Sequence, residues 1–402
     1  MAEKTLESLA SSIQQLASEV QNARQKGNED LEAFDKLIDA LDDMRADLVG
    51  PMRWPGTLFA PPDYGALQTA FLHDVFQHVP TSGNDTASAS IHVRDLSKLV
   101  KIPADILLRI MRLLVVNKMF LEINEKVFIH TPLSAGMADE MVSARLGGIF
   151  NGVFKASSSL SEAIDAGKRS AWEVRFGMPM YEYFEKIPKS DRDRMAKSMA
   201  VSSIKEMEDL SVIFPWEKFN KIVDIGGSAG HLMANLTKRF PHLQTVSQDL
   251  PEVTADQIRR VADLPLSEKA IYDRVEFESH DYYKPQTRKD ADAFILRRCL
   301  HNNPDDDCIK MLRAVVPGLE HNPKARLLIN EKLMPAWNSS DTRYKTKMLR
   351  REDITMMISV GGKERTLEEF GGLVKAADKR LEISEVYYGK NHFSVISVRL
   401  AK

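Results

Sequence analysis

Apolar residues recur at helical spacing near the start of the chain. Within residues 1–58, five of them follow one another at alternating steps of three and four: Leu6, Leu9, Ile13, Leu16 and Val20. This spacing predicts an amphipathic helix with a narrow apolar seam. Because a coiled coil needs about three or four heptads, we expect this short seam to pack on a neighbouring helix or a second subunit. A second helical pattern, LEAFDKLIDALDDMRADLV, is predicted to end at Gly50 and Pro51.

Residues 59–140 continue the helical pattern and then change to two short predicted strands. The part RDLSKLVKIPADILLRIMRLLVVNKMFLEINEKVFIHTPLS predicts helix, turn, helix and a two-stranded wing. This order is typical of a winged helix, and a helix-turn-helix of this kind often binds DNA. The second helix offers only Arg109 and Arg112 among apolar residues, and Asp105 at its start would repel phosphate. We therefore favour packing between domains or subunits over DNA binding.

Residues 141–215 hold further predicted helices that are rich in methionine and aromatic residues. Most such residues must belong to the core of a folded domain. Flexible methionines and flat rings also suit the wall of a pocket for an apolar or aromatic small molecule. Both interpretations stay open for Met180, Met195 and Met199.

After Trp216, in residues 216–402, predicted strands alternate with predicted helices. The strands are KIVDIGG, LQTVSQD, RVEFESHD, ADAFILRR and ARLLINEKL. Such alternation implies a parallel sheet with helices on both faces. The last strand, FSVISVRL, follows so closely on RLEISEVYYG that the two must form an antiparallel hairpin. We therefore predict the α/β class, with a doubly wound, mostly parallel, seven-stranded Rossmann-like sheet.

Composition narrows the classes of function. The 402 residues are enough for two or three domains. Lys plus Arg is 55 against Asp plus Glu 57, so charge gives no reason to expect nucleic acid or a membrane as partner. The cysteines, Cys299 and Cys308, offer neither a disulfide framework nor zinc spacing, and we expect no metal site. No signal pattern opens the chain, and no apolar run approaches the ~18 residues of a membrane span, so we expect a soluble cytoplasmic protein.

Three strand ends carry residues that suit a nucleoside-like ligand. VDIGGSAGHL places Gly226 and Gly227 in a turn where backbone can approach a ligand at a helix N-terminus. Asp249 ends the next strand, where an acid accepts hydrogen bonds from a ribose diol in doubly wound folds. Asp281 ends the third strand and is followed by Tyr282, a flat ring that suits a purine. Any α/β sheet can contain a tight glycine turn, so the prediction depends on the three strand ends together.

Several segments of the chain carry a family resemblance. They are VDIGGSAG, SQDLPEV, ILRRCLHNNPDDDCIKMLRAVVPGL, LLINEKLMP and GGKERTLEEFGGLVKAA. These segments resemble the S-adenosylmethionine-dependent small-molecule O-methyltransferases of the caffeic acid O-methyltransferase type, particularly the fungal members. The resemblance covers residues 60–400 in order. It implies a methyltransferase sheet, an N-terminal α-helical winged-helix-like dimerisation domain, a homodimer, and S-adenosyl-L-methionine as cofactor.

The resemblance also implies a role for individual residues. Contacts to the cofactor are implied for Gly226, Gly227, Asp249, Leu250, Asp281, Tyr282 and Arg297. It implies a catalytic base at His301 with Glu331 and Glu364 as flanking carboxylates. A phenol of pKa about 10 is mostly protonated at neutral pH, and an imidazole of pKa about 6.5 can take its proton during attack. A structural alternative stays open for each: a cap for His301, a lysine pair for Glu331 and solvation for Glu364.

Candidate substrate-binding residues come from the helical region, the wing and the catalytic segment. They are His130, Phe176, Met180, Met195, Met199, Arg298 and Met357. In the family the wing reaches the substrate cavity, which gives His130 a possible contact with substrate. A histidine whose hydrogen bonds are satisfied inside the domain is the alternative.

The chain departs from the family directly after the predicted base. The family usually has aspartate and tryptophan there, whereas this chain has Asn302 and Asn303. Some fungal proteins that resemble these methyltransferases, in a group similar to the leporin-pathway pericyclase, keep the cofactor bound without using its methyl group. They dehydrate an alcohol and direct a Diels-Alder, Alder-ene or retro-Claisen step, for which His130 and Arg297 or Arg298 would serve as donors. We predict O-methylation of a phenolic or enolic compound of secondary metabolism, with a pericyclase as the alternative and a DNA-binding regulator third.

Overall fold

The structure is a computed structural model that describes most of the chain. Two predicted pocket residues, Met195 and Met199, lie outside the described residues. The described ranges are 5–58, 60–81, 89–189, 192, 206–389 and 392–401.

The described residues fall into two compact units with separate apolar cores. The first unit contains the described residues before 160, together with 181–189, 192 and 340–348. The second contains 160–180, 206–339 and the described residues from 349 onward. This division does not decide the predicted boundaries after residues 58, 140 and 215, which stay predictions.

Helices dominate the first part of the chain, as its apolar spacing predicts. The elements are α1 (Leu6–Gln25), α2 (Leu31–Leu58), α3 (Pro61–Leu72), α4 (Val75–His78), β1 (Ile91–His92), α5 (Val93–Val100), α6 (Ala104–Val116), β2 (Phe120–Asn124), β3 (Val127–His130), α7 (Pro132–Met137), α8 (Glu140–Asn151), α9 (Val153–Ser157), α10 (Leu160–Asp165), α11 (Ala171–Phe176) and α12 (Met180–Lys186). Thr5 caps α1 by accepting a hydrogen bond from the Ser8 N–H at 3.2 Å. The seam of α1 packs on α2, with Leu9 buried. The continuous helix of α2 breaks at Gly50, where φ is 68° and Pro51 follows, which confirms the predicted end.

The winged-helix-like region contains one more strand than the sequence indicates. β3 lies between β1 and β2, and both pairs are antiparallel. β1 has only two residues, which is too short for a recognisable alternation. Arg112, one of the two basic residues of α6, binds the carboxylate of Glu122 through Nε and Nη2 at 3.0 and 2.9 Å. That pairing reduces the positive charge which the helix could offer to a phosphate backbone.

The second part of the chain alternates strands and helices as predicted. The elements are β4 (Lys221–Ile225), α13 (His231–Arg239), β5 (Gln244–Asp249), α14 (Pro251–Ala262), α15 (Leu266–Tyr272), β6 (Val275–Ser279), β7 (Ala293–Arg297), α16 (Asp305–Leu319), β8 (Arg326–Lys332), α17 (Arg343–Val360), α18 (Leu367–Ala377), β9 (Leu381–Tyr388) and β10 (Phe393–Leu400). Two 3₁₀ helices cover Trp216–Lys218 and Leu300–Asn302. Within the described ranges, no helix combines the length and apolar character that a bilayer crossing requires.

The seven-stranded sheet has the order β6-β5-β4-β7-β8-β10-β9. The first five strands in this order are parallel, whereas β10 runs antiparallel to both β8 and β9. Successive residues of β7 belong to different apolar clusters, with Phe294 on one face of the sheet and Ile295 on the other. Strands buried on both faces are expected when helices cover both sides. The doubly wound α/β prediction is therefore confirmed, including the reversed last strand.

Candidate active site

Glycine is favoured at the first position of the turn after β4 by a left-handed backbone and by close packing. The N–H groups of Gly226 and Gly227 both donate to the carbonyl oxygen of Gln248, at 2.8 and 3.0 Å. Gly226 has a φ of 75°, and a Cβ atom there would lie 3.1 Å from Cys299 Sγ and 3.6 Å from the Tyr282 ring. Glycine therefore allows β4, β5 and the Tyr282 loop to meet at the carboxyl edge of the sheet.

Asp249 ends β5 at that same edge, and Asp281 follows the end of the neighbouring strand β6 by two residues. Asp249 accepts hydrogen bonds from the Ser228 N–H and the Leu250 N–H, both at 2.8 Å. Burial raises the pKa of the Asp249 carboxyl, and these two N–H groups oppose the rise. The Asp281 carboxylate accepts from the Tyr283 N–H at 2.9 Å. The predicted grouping of three strand ends is thus present, and each carboxylate oxygen of Asp249 keeps a second lone pair for a ligand hydroxyl.

A buried acid beneath the turn was not found by sequence reasoning. Asp224 in β4 is 3% exposed, and burial raises the pKa of its carboxyl to about 7 although the Arg297 charge opposes this rise. Arg297 ends β7 and donates through Nη2 to Glu206 Oε2 at 3.4 Å. Burial lowers the pKa of the Arg297 guanidinium, and the carboxylates of Glu206 and Asp224 oppose the fall. The Asp224 carboxyl lies directly beside the glycine turn.

His301 lies on a 3₁₀ turn that follows β7 rather than on the strand itself. The strand ends at Arg297, and the next residue, Arg298, has a left-handed φ of 56°. That conformation is uncommon for a residue with a side chain. The chain then enters the 3₁₀ helix Leu300–Asn302, in which His301 is 4% exposed.

The side chains of His301 and Glu364 form a buried hydrogen-bonded pair. His301 Nδ1 lies 2.8 Å from Glu364 Oε1. Burial acts to raise the pKa of Glu364, but the His301 hydrogen bond and the charges of His301 and Arg298 together lower it. An ionised carboxylate can only accept, so Nδ1 carries the hydrogen. Nε2 has no hydrogen-bond partner in the part of the chain that the structure describes, and its lone pair is available.

Glu331 holds the main chain of the turn instead of the imidazole ring. Its Oε1 accepts from the N–H groups of Leu300 and His301 at 2.8 and 3.3 Å. Burial raises the pKa of Glu331 and the Glu364 charge adds to the rise, while the His301 charge opposes it. No lysine pairs with Glu331 among the described residues; neighbouring Lys332 pairs with Glu352. A ring nitrogen of His301 and one carboxylate oxygen each from Glu331 and Glu364 lie within 4.8 Å of one another.

The two asparagines after His301 have local structural roles. Asn302 Nδ2 donates to the Arg298 carbonyl at 3.1 Å, and Asn303 Nδ2 donates to the Cys299 carbonyl at 3.0 Å. Asn303 is 8% exposed. Short amide side chains commonly bond to nearby backbone in turns. The asparagines therefore stabilise the turn that carries His301.

His130 uses both ring nitrogens inside the first unit. Nε2 lies 3.1 Å from the carbonyl oxygens of Phe76 and Val79, and Nδ1 lies 2.8 Å from Ser134 Oγ. Burial lowers the pKa of the imidazole, although the two carbonyls oppose the fall. These contacts give His130 a structural role, and its contact with substrate stays a prediction.

The other predicted substrate residues are distributed over several elements. Phe176 ends α11 and packs on Trp172 with ring centroids 4.5 Å apart. Met180 begins α12, and half-buried Met357 lies in α17. Arg298 Nη1 lies 3.9 Å from Glu364 Oε1, beside the hydrogen-bonded pair of His301 and Glu364. Their contacts with substrate stay predictions.

The comparison with known proteins agrees with the fold and identifies a family. Residues 158–378 match the O-methyltransferase domain family. The chain is 34% identical over 364 residues to O-methyltransferase sol2 of Alternaria solani, covering 87% of this chain and 81% of that protein. It is 31% identical over 354 residues to 6-hydroxytryprostatin B O-methyltransferase of Aspergillus fumigatus, covering 83% of this chain and 97% of that protein.

The fold is also similar to that of a solved structure. OxaC in complex with SAH and oxaline superimposes with a TM-score of 0.76 at 21% identity, covering 98% of this chain and 100% of that chain. At this identity the likeness concerns the fold alone. On the domain match and the identity to its relatives, the chain belongs to the family of S-adenosylmethionine-dependent O-methyltransferases.

Proposed function

We propose that this enzyme methylates a hydroxyl oxygen of a phenolic or enolic small molecule of secondary metabolism, with His301 as general base. The observation that carries the proposal is the buried bond between His301 Nδ1–H and Glu364 Oε1, at 2.8 Å. The bond leaves the Nε2 lone pair to accept a proton. The relatives named above, one of which acts on 6-hydroxytryprostatin B, support a small-molecule acceptor.

The site residues have different roles in proton transfer. His301 Nε2 accepts the hydroxyl proton as the oxygen attacks, and Glu364 then stabilises the imidazolium that forms. Glu331 fixes the main chain of the turn through the Leu300 and His301 N–H groups. Burial of the pair strengthens these interactions, because a low-dielectric surrounding screens charge poorly.

The carboxyl edge of the sheet fits the cofactor. When bound, S-adenosylmethionine supplies a methyl group activated by its sulfonium centre. Asp249, which accepts from the Ser228 N–H beside the glycine turn, has lone pairs for the ribose hydroxyls. Cofactor contact is further assigned to Gly227, Leu250, Asp281, Tyr282 and Arg297.

A homodimer is part of the proposal. The family resemblance implies dimerisation through the N-terminal domain. Two apolar residues of α2, Leu48 and Met52, are 66% and 93% exposed. Several exposed apolar side chains on one helix offer a second chain a surface for packing.

An isotope-transfer assay tests the function. The purified enzyme is incubated with methyl-labelled S-adenosylmethionine and an acceptor panel of catechol, 2-naphthol, 5-hydroxyindole and fungal extract. Products are followed both for label and for unchanged mass or loss of water. We expect label in a product, and a rate that falls about 10²- to 10⁴-fold in His301→Gln. Calorimetry with S-adenosylhomocysteine confirms that the variant still binds cofactor.

The same assay separates methyl transfer from the pericyclase alternative. An isomerised or dehydrated product without label, formed equally by His301→Gln, would contradict the proposal. Asn302 and Asn303 are the residues at which the chain departs from the family. Their side chains bond to the backbone of the His301 turn, so they give the pericyclase alternative no support.

A further inference from the structure

Arg365, which directly follows Glu364, is a fully buried cation with a complete set of acceptors. It is 0% exposed. Nε and Nη2 donate to Asp305 Oδ1 at 3.0 and 2.7 Å, and Nη2 also donates to the Asn303 carbonyl at 2.8 Å. Nη1 donates to the carbonyls of Leu300 and Lys363, both at 3.0 Å. A guanidinium has five N–H donors in a rigid plane, and this arrangement uses the whole set.

The carbonyls that Arg365 binds lie on both sides of His301. Leu300 begins the 3₁₀ helix, and Asn303 follows its last residue. One rigid planar group therefore fixes the distance between the two ends of the turn. Asp305, the first residue of α16, supplies the compensating charge and joins that helix to the same group.

The backbone of the Arg365 segment also contacts the catalytic turn and the strand that carries Glu331. The Lys363 N–H donates to the His301 carbonyl at 2.9 Å. This approach requires glycine at position 362, where a Cβ would lie 2.0 Å from the same carbonyl oxygen. On the other side, the Met334 N–H donates to the Arg365 carbonyl at 2.9 Å, just beyond the end of β8. Arg365 thus connects the three segments that carry His301, Glu331 and Glu364.

We propose that Arg365 is a positioning residue, which holds the His301 turn so that Nδ1 stays bonded to Glu364 and Nε2 stays directed at the acceptor hydroxyl. The inference rests on the proposed function, because it assigns a support for the same base. A lysine at this position would keep the charge but could not bind Leu300, Asn303 and Asp305 in one plane. The Arg365→Lys variant therefore separates geometry from charge.

The test compares Arg365→Lys with a matched arginine that does not contact the turn. Arg313 in α16 donates to the carbonyls of Ala377 and Ala376 at 2.9 and 3.2 Å, so Arg313→Lys removes bonds of the same type elsewhere. Histidines labelled at the ring nitrogens are observed by NMR at one fixed pH to determine which nitrogen carries the hydrogen, and the His301 signals are assigned with His301→Gln. Calorimetry with S-adenosylhomocysteine measures cofactor affinity, and kcat and KM are measured with an acceptor from the panel.

We expect Arg365→Lys to lower kcat about 10- to 100-fold with cofactor affinity within about twofold of wild type, as for other residues that orient a catalytic group. The share of His301 that carries its hydrogen on Nδ1 falls, because the ring loses its bond to Glu364. Arg313→Lys changes neither kcat nor this share. The NMR measurement needs no methyl transfer, so the inference can succeed or fail independently of the proposed function.

Two outcomes would overturn the inference. One is an Arg365→Lys enzyme with the kcat of wild type and the same share of Nδ1-protonated His301. The other is a fall in kcat that accompanies an equal loss of cofactor affinity, with that share unchanged, which indicates a general structural role. If Arg365→Lys does not fold, Asp305→Asn is measured instead, because it retains an acceptor and the carbonyl bonds. The inference then requires a smaller fall in the share of Nδ1-protonated His301, and an unchanged share overturns it.

Discussion

Two buried glutamates beside His301 have opposite electrostatic surroundings. Glu364 is held ionised by the His301 hydrogen bond and by nearby cations, which lower its pKa despite burial. Glu331 experiences burial and the Glu364 charge, and its pKa is raised. Acid and base assignments commonly follow from pairs whose pKa values are driven apart in this way. We infer that Glu364 stabilises the charge of the His301 imidazolium, whereas Glu331 fixes the position of the turn.

This division of roles predicts different results for the two conservative variants. Glu364→Gln removes the carboxylate that stabilises the imidazolium, and we expect kcat to fall about 10- to 100-fold. Glu331→Gln retains an oxygen that accepts from the Leu300 and His301 N–H groups, so its kcat falls less. Steady-state kinetics with the labelled cofactor measure both. A larger loss in Glu331→Gln than in Glu364→Gln would contradict the division.

Asp224 predicts a pH dependence of stability. Burial raises the pKa of its carboxyl to about 7 in the folded protein, whereas an unfolded aspartate titrates near ~3.9. The folded state therefore binds the proton more tightly, and the wild type loses stability as pH rises between these values. The free energy of unfolding of Asp224→Asn does not fall in this way. Relative to that of wild type, it therefore rises by up to about 1.4 kcal/mol per pH unit in that window. Urea midpoints from pH 4.5 to 8 measure the difference, and a constant difference would contradict the assignment.

The sequence could identify the residues that belong to motifs but not those that act through burial. His301, Glu331 and Glu364 were predicted because family-like segments carry them. Asp224 and Arg365 lie in the same segments, yet their roles depend on surrounding atoms that come from β5, α16 and the catalytic turn. A charged residue in a short motif has no periodicity that distinguishes a solvated side chain from a buried one.

At the scale of elements, the strands were predictable and the turns were not. The apolar runs of β4, β7 and β8 are long enough to be recognised, and short connections fix the antiparallel end of the sheet. The 3₁₀ turn after β7 depends on Arg298 at a φ of 56°, held by its N–H donating to the Asn330 carbonyl at 3.1 Å. Because tertiary contacts impose that conformation, local propensity gives no sign of it. The sequence therefore predicted the strand ADAFILRR but not the turn that follows it and carries His301.

Two glycines in the same fold are expected to respond oppositely to alanine. Gly226→Ala forces a side chain into a left-handed conformation at a cost of about 1–2 kcal/mol, and its Cβ would lie 3.1 Å from Cys299 Sγ. We expect the glycine turn to shift and the affinity for S-adenosylhomocysteine to fall about tenfold or more. Gly372 is exposed inside α18 with open space around it, so Gly372→Ala should stabilise the protein by about 0.5–1 kcal/mol.

Calorimetry and urea unfolding measure the two glycine variants. The Gly372→Ala protein serves as the control for cofactor binding, because a Cβ atom at residue 372 would have no neighbour within 4 Å. Equal cofactor affinity in both variants would show that the tight turn is not needed for binding.

At the scale of the whole molecule, charge and composition give no reason to expect a nucleic-acid partner, and they do not identify the acceptor. Basic and acidic residues nearly balance, and the basic side chain of Arg112 is paired with Glu122. This balance agrees with a protein that recognises its partner by shape and apolar contact. The acceptor itself could not be predicted, because Met195 and Met199 lie outside the described residues and the specificity of a pocket depends on side-chain positions that composition does not fix.

The exposed apolar residues of α2 predict how the molecule assembles. Leu41 and Leu48 are 44% and 66% exposed and lie about two helical turns apart, on the same side of the helix. We expect light scattering to give about twice the 45.4 kDa chain mass for the wild type, and the monomer mass for the double variant Leu41→Glu, Leu48→Glu. Charged side chains on this surface would have to be buried without partners in the dimer. Leu266→Glu in α15, where the leucine is 86% exposed, is the matched control and should remain dimeric. A double variant that keeps the dimer mass at the same protein concentration would show that α2 does not form the interface.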